Sequence, residues 1–280
     1  MKQVHVGNII TAVKDLCMNA NYDLGEDVVK AFEEFHNTEE SPTGKGIIEQ
    51  LIENAKIAQS ERVPMCQDTG FAVFFVELGQ EVHVEGGSLT DAINEGVRQG
   101  YKEGYLRKSI VEHPLNRRNT GDNTPAVIHI DLVPGNELKI TIAPKGGGSE
   151  NMSGIKMLKP ADGVEGVKDF VIQRVKESGP NPCPPIVVGV GIGGTFEKSA
   201  MLAKKSLLRN IGERHSDPEI ADLEIELLTK INKLGIGPQG LGGSTTALDV
   251  FIEIYPAHIA SLPVAVNINC HAARHKSVKF

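Results

Sequence analysis

The chain has no tryptophan, only four cysteines among 280 residues, and no unbroken apolar run of the roughly eighteen residues that a spanning helix requires. Cysteines at positions 17, 66, 183 and 270 are too few and too far apart for a disulfide scaffold. In a reducing compartment they remain thiols and have to be judged one at a time. Blocks of like charge are missing as well. Acidic and basic residues alternate along the chain around a formal charge of −7, which argues against a broad nucleic-acid or anionic-membrane surface. A small cationic pocket stays compatible with that balance. The opening MKQVHVGNIITAVKDL carries charge too early, and repeats its apolar positions too helically, for a secretory leader. The expected location is therefore cytoplasmic.

Glycine, in contrast, is plentiful at 30 residues, and it is clustered. Ile9, Ile10, Val13, Leu16 and Cys17 share one face of a 3.6-residue period, so a first helix is expected with Cys17 as a small core residue. Further helices are expected over 24–35 and from Ile47 to Ala55, making residues 1–60 a helical layer. After Pro64 the pattern changes to strands at 71–78 and 82–84, followed by a helix from Leu89 with Ser88 as its N-cap. Val127–Leu132 and Leu138–Ile142 alternate with period two and read as neighbouring strands joined by the Pro134-Gly135-Asn136 turn. Helices at 162–177, 197–210 and 217–233 mix with strands at 186–190, 248–255 and 262–268. The fold expected for 1–280 is one α+β domain with a mixed sheet, an irregular α/β order being the alternative.

Cys66, Cys183 and Cys270 each lie beside proline, glycine or polar residues instead of inside an amphipathic helix. Thiols at rigid element ends suit a metal centre, whose ligands must be deprotonated and held in place. Three such ligands suit a cubane cluster with one open iron better than a four-ligand structural zinc site. Spacing alone leaves two other readings open, unrelated thiols and zinc ligation shared with His258 or His275. Gly146–Gly148 follow a strand and offer backbone N–H groups to an anion. The run Gly189-x-Gly191-x-x-Gly194 formally fits a dinucleotide fingerprint but lacks the regular βαβ setting and the acidic ribose ligand. A tight strand-to-helix packing turn, or a helix N-terminus meeting a carboxylate, explains it at less cost.

Taken in order, the strings MCQDTG (65–70), GDNTPA (121–126), KGGGSEN (145–151), NPCPP (181–185), GVGIGGTFE (189–197) and HIASLPVAVNINCHAARH (258–275) resemble one family. It comprises the alpha subunits, or N-terminal regions, of class I iron–sulfur fumarate hydratases and tartrate dehydratases. That resemblance implies a [4Fe–4S] cluster on Cys66, Cys183 and Cys270. It implies substrate contacts from Gln67, Asp68, Arg107 and the backbone at Gly148, and proton handling by Asp68 with His258. It also implies a beta subunit carrying the remaining catalytic residues, in a heterotetramer of two alpha and two beta chains. Hydration of fumarate to malate is the activity expected first. A tartrate or mesaconate-type dehydratase subunit, or a non-catalytic cluster-binding subunit, is the alternative.

Overall fold

Glycines decide how closely the first helices pack. In the computed structural model, which describes residues 2–280, the elements run β1 (Lys2–His5), α1 (Val6–Tyr22), α2 (Glu26–Thr38), α3 (Pro42–Glu61), β2 (Phe71–Gly79), β3 (Val82–Glu85), α4 (Leu89–Glu103), β4 (Val127–Val133) and β5 (Leu138–Lys145). They continue with α5 (Gly147–Glu150), β6 (Gly154–Leu158), α6 (Gly163–Ser178), β7 (Ile186–Gly193), α7 (Phe196–Ser206), α8 (Pro218–Asn232), β8 (Ala247–Tyr255), β9 (Leu262–Asn269) and β10 (Lys276–Lys279). This is the expected α+β mixture with a helical N-terminal stretch. Two compact units share it: the chain up to Leu24, Asn54–Gly147 and Arg274–Phe280 form the first, Gly25–Glu53 and Gly148–Ala273 the second.

In the first unit α1 buries Ile9, Val13, Leu16 and Cys17 as the period predicts. A Cβ on Gly96 of α4 would come within 2.6 Å of Val13 Cβ, and one on Gly100 within 2.8 Å of Cys17 Cβ, so α1 and α4 meet through these glycines. Both helices join a core with Phe74, Val76, Ile140 and Ile142 of a sheet ordered β10-β5-β2-β4. Ser88 caps α4 as expected, accepting from Asp91 N. One expectation is corrected. β4 and β5 are not neighbours: β2 lies between them, parallel to β4 and antiparallel to β5. The turn after β4 instead passes over the end of β2, where Gly79 N donates to Glu137 O and a Cβ on Gly79 would lie 2.5 Å from Gly135 O. β3 stands outside this sheet. It forms a parallel pair with β1, a strand that the helical spacing of the N-terminus had hidden.

The second unit carries a sheet ordered β6-β9-β7-β8. Side chains alternate along β7, so Val188 and Val190 enter a core with Val171 of α6 and Leu227 of α8, while Gly189 and Gly191 face α7. A Cβ on Gly189 would stand 2.1 Å from Ala203 O, and one on Gly191 2.1 Å from Ser199 O. The dinucleotide-like glycines are thus packing residues that seat α7 on the strand. No helix among the described residues is long and apolar enough to cross a membrane.

Candidate active site

Strand directions gather the distinctive strings. In the first unit β2 starts where the antiparallel β5 ends, Phe71 opposite Lys145, and β4 enters beside it with Val127 opposite Val73. β10 starts at Lys276 opposite Ile142. The segments 66–70, 121–126, 145–147 and 274–275 therefore come to one end of one sheet, although 209 positions separate the outermost pair, 66 and 275 (275 − 66).

Asp68 is fixed there from both ends. Its carboxylate accepts from Gly70 N at 3.0 Å and from Gly147 N at 2.8 Å, and its carbonyl accepts from Arg274 Nη2 at 2.8 Å. The Arg274 side chain is buried, yet its Nε and Nη1 have no hydrogen-bond partner among the described residues. Gln67 and Arg107 meet at 2.7 Å, Arg107 Nη1 donating to Gln67 Oε1, and both are exposed. Buried Thr69 holds that arrangement by bonding both the N–H and the carbonyl of Arg107. Tyr101 donates to the carbonyls of Thr69 and Gly70, and burial pushes its phenol far up. Asn123, itself at φ 62°, joins Ser109 N to Gly70 O. Thr69, Tyr101 and Asn123 were not picked out from the sequence. Two of them stand inside the quoted strings MCQDTG and GDNTPA, which is the signal that could have found them.

The second unit makes a similar end. β7 begins opposite the end of β9, Val187 against Asn269, and β8 begins beside Ile186 at Ala247. Cys183 and Cys270 are thereby brought together, with the segments before β6 and β8 at the same end. The N–H of His271 donates to the carbonyl of Cys183 at 3.2 Å. Cys183 is exposed and takes φ 56°, a left-handed conformation that costs a side-chain-bearing residue about 1–2 kcal/mol. Such stored strain is common at functional sites. Gly148 belongs to this end too: its position faces Asn181 O, with room for a Cβ at 3.5 Å. The loop before β8 is anchored by buried Glu39, which accepts from Ser41, Ser244 and Thr245 N–H groups. Burial opposes ionisation of Glu39, but these hydrogen bonds outweigh it and hold the carboxyl at about 2.

His258 lies elsewhere. It is exposed in the connection from β8 to β9, beyond the opposite end of β9, so an eight-residue strand of roughly 26 Å separates it from Cys270. That separation excludes it from sharing a zinc ion with Cys183 and Cys270. The cysteines divide cleanly. Cys17 is buried in the first core, where desolvation pushes its thiol far up, whereas Cys66, Cys183 and Cys270 are partly or fully accessible loop thiols. A buried guanidinium beside the Cys66 loop, two of whose donors are unused among the described residues, also suits a net-negative group, so the donor chemistry of these residues is the kind an iron–sulfur cluster takes.

The family model described as "Fumarate hydratase (Fumerase)" matches residues 10–279. The chain belongs to this family. Within the fumarate hydratase family it is 50% identical over 272 residues to a "Putative L(+)-tartrate dehydratase subunit alpha" of Methanocaldococcus jannaschii, covering 95% of both chains. It is 35% identical over 277 residues to the "L(+)-tartrate dehydratase subunit alpha" of Escherichia coli K12, covering 98% of this chain and 91% of that one. A relative of the same name from Shigella boydii gives the same figures. These family members carry the tartrate name, which favours the tartrate alternative over the fumarate activity expected first.

Proposed function

We propose that this chain is the alpha subunit of an iron–sulfur hydro-lyase that removes water from L(+)-tartrate, working with a beta subunit. The observation that carries the reading is the 50% identity, over 95% of both chains, to the Methanocaldococcus jannaschii subunit of that name. The gathering of Cys183 with Cys270, and of Gln67 with Asp68 and Arg107, supports it.

Cys66, Cys183 and Cys270 would hold a [4Fe–4S] cluster, which when bound supplies Lewis acidity at the iron that no thiolate occupies. The other roles belong to the chain itself. Arg107, steadied by Gln67 and Thr69, presents guanidinium N–H groups to one substrate carboxylate. The peptide at Gly148 approaches the substrate closely because no side chain intervenes. Asp68 is held by two backbone N–H groups and keeps lone pairs for the proton of the substrate hydroxyl. The carbon-bound proton goes to a base on the beta subunit. Loss of that proton and of hydroxide leaves an enol, which becomes the 2-oxo diacid. His258, remote from Cys270 in its own chain, serves the site of a second copy in a tetramer of two alpha and two beta chains.

The test is the rate of the assembled, cluster-loaded complex on L(+)-tartrate, fumarate and mesaconate. A kcat/KM for tartrate at least tenfold above that for fumarate is expected. Faster turnover of fumarate would favour fumarate hydration, the second reading, which the family match supports. Mixing Cys183→Ala and His258→Ala alpha chains in one assembly tests the shared histidine: restored activity is expected, and its absence overturns that assignment.

A further inference from the structure

Among the glycines of the loop before β8 stands one residue with a long side chain whose bonds leave the loop. Gln239 has φ 51°, where glycine would sit without strain, yet it carries a side chain. Its backbone N donates to Pro184 O at 2.7 Å, and its Nε2 donates to the same carbonyl at 2.9 Å. Nε2 also lies 3.2 Å from His271 Nδ1. That ring nitrogen is 3.2 Å from Cys183 O, the carbonyl that also accepts the His271 N–H. Whichever ring nitrogen holds the proton, Nδ1 remains tied into the group, accepting from Gln239 or donating to Cys183 O.

Pro184 follows Cys183 and His271 follows Cys270, so a single side-chain amide binds the residue next to each of two thiols. The base of this clamp is rigid, because Glu39 takes the N–H groups of Ser244 and Thr245 at the other end of the loop. Torsional freedom at the two cysteines is what the clamp removes. A fixed separation of thiolates matters for a cluster whose loss begins when one ligand swings away.

We propose that Gln239 is a positioning residue that, through Pro184 and His271, sets the geometry of the Cys183 and Cys270 thiolates and slows oxidative loss of the cluster. This rests on the cluster reading above. Sequence spacing does not reveal it, since Gln239 is 56 positions from Cys183 and 31 from Cys270 (239 − 183 and 270 − 239).

The experiment uses the full chain, reconstituted anaerobically with iron and sulfide, as wild type, Gln239→Leu and Gln239→Gly. Gln239→Gly keeps the backbone N–H and relieves the left-handed strain, so it isolates the side chain. Thermal melting before reconstitution, iron per chain, decay of visible absorbance in air and the electron-paramagnetic spectrum of the oxidised cluster are recorded. Melting of Gln239→Gly at or above wild type is expected, with absorbance lost at least fivefold faster in both variants and an altered spectrum. The clamp is overturned if a loaded wild type and both variants decay alike with the same spectrum. It is equally overturned if faster decay in Gln239→Gly is matched by a lowered melting temperature before loading. A wild type that takes up no cluster removes the cluster reading itself, and the clamp with it.

Discussion

The backbone N–H of His271 donates to the carbonyl of Cys183 at 3.2 Å, closing a gap of 88 residues. A hydrogen bond between the loops that hold two thiols makes them one local structure, unlike Cys17, which faces α4 in the core. Alanine at Cys183 or Cys270 should abolish iron retention while leaving the far-ultraviolet circular dichroism of the chain unchanged. Cys17→Ser should do the opposite, keeping the iron and costing about 1–3 kcal/mol of stability for a buried hydroxyl, as read by urea denaturation.

Glu39 gives the fold an acid-sensitive point. Its carboxyl is lowered from 4.5 to about 2, so the stabilisation is fully present above 4.5 and is lost as pH falls toward about 2. A shift of that size corresponds to about 3 kcal/mol. Glu39→Gln should therefore lower the urea midpoint strongly at pH 7, and the gap from wild type should narrow as the pH drops below 4.5. A pH-independent gap would show that the charge on Glu39 is not what binds the loop.

Gly70 and Gly148 separate structural from functional glycine. Gly70 has φ +76° and a Cβ there would stand 2.6 Å from the Lys145 carbonyl carbon, so Gly70→Ala should cost about 2 kcal/mol or more. At Gly148 the nearest atom to an added Cβ is Asn181 O at 3.5 Å, and the chain itself tolerates it. Gly148→Ala should melt like wild type, yet lower the turnover of the assembled enzyme at least tenfold. Unchanged turnover would remove Gly148 from the substrate site.

Arg274 buries a guanidinium whose Nε and Nη1 have no partner among the described residues, which is unfavourable unless something else uses them. Arg274→Met should leave the stability of the cluster-free chain unchanged, or raise it by about 1–2 kcal/mol. Iron retention after reconstitution should nonetheless fall. A Met variant that is both destabilised and fully loaded would make Arg274 a purely structural residue.

Local patterns carried much of the fold. The stripe of α1, the Ser88 cap and the position of β2 follow from periods and capping chemistry acting over a few residues. Pairing partners were less legible. The Pro134-Gly135-Asn136 segment reads as a hairpin turn, and only the glycine at position 79 hints that the chain crosses over β2 instead. The site shows the same division. Accessible thiols could be separated from Cys17 by their neighbours in sequence, and Gln67, Asp68 and Arg107 entered through resemblance. The distance between His258 and Cys270 could not be read, because a spacing of twelve residues is short in a loop but long when eight of them form β9. Glu39 and Gln239 act through bonds to residues far along the chain, for which no local pattern exists.

The cofactor proposed for Cys66, Cys183 and Cys270 is an iron–sulfur cluster. Iron and acid-labile sulfide in the wild-type chain, measured after anaerobic reconstitution, test it most directly. About four of each per chain are expected, with a three-iron electron-paramagnetic signal after mild oxidation. A colourless, iron-free protein under the same conditions would contradict it.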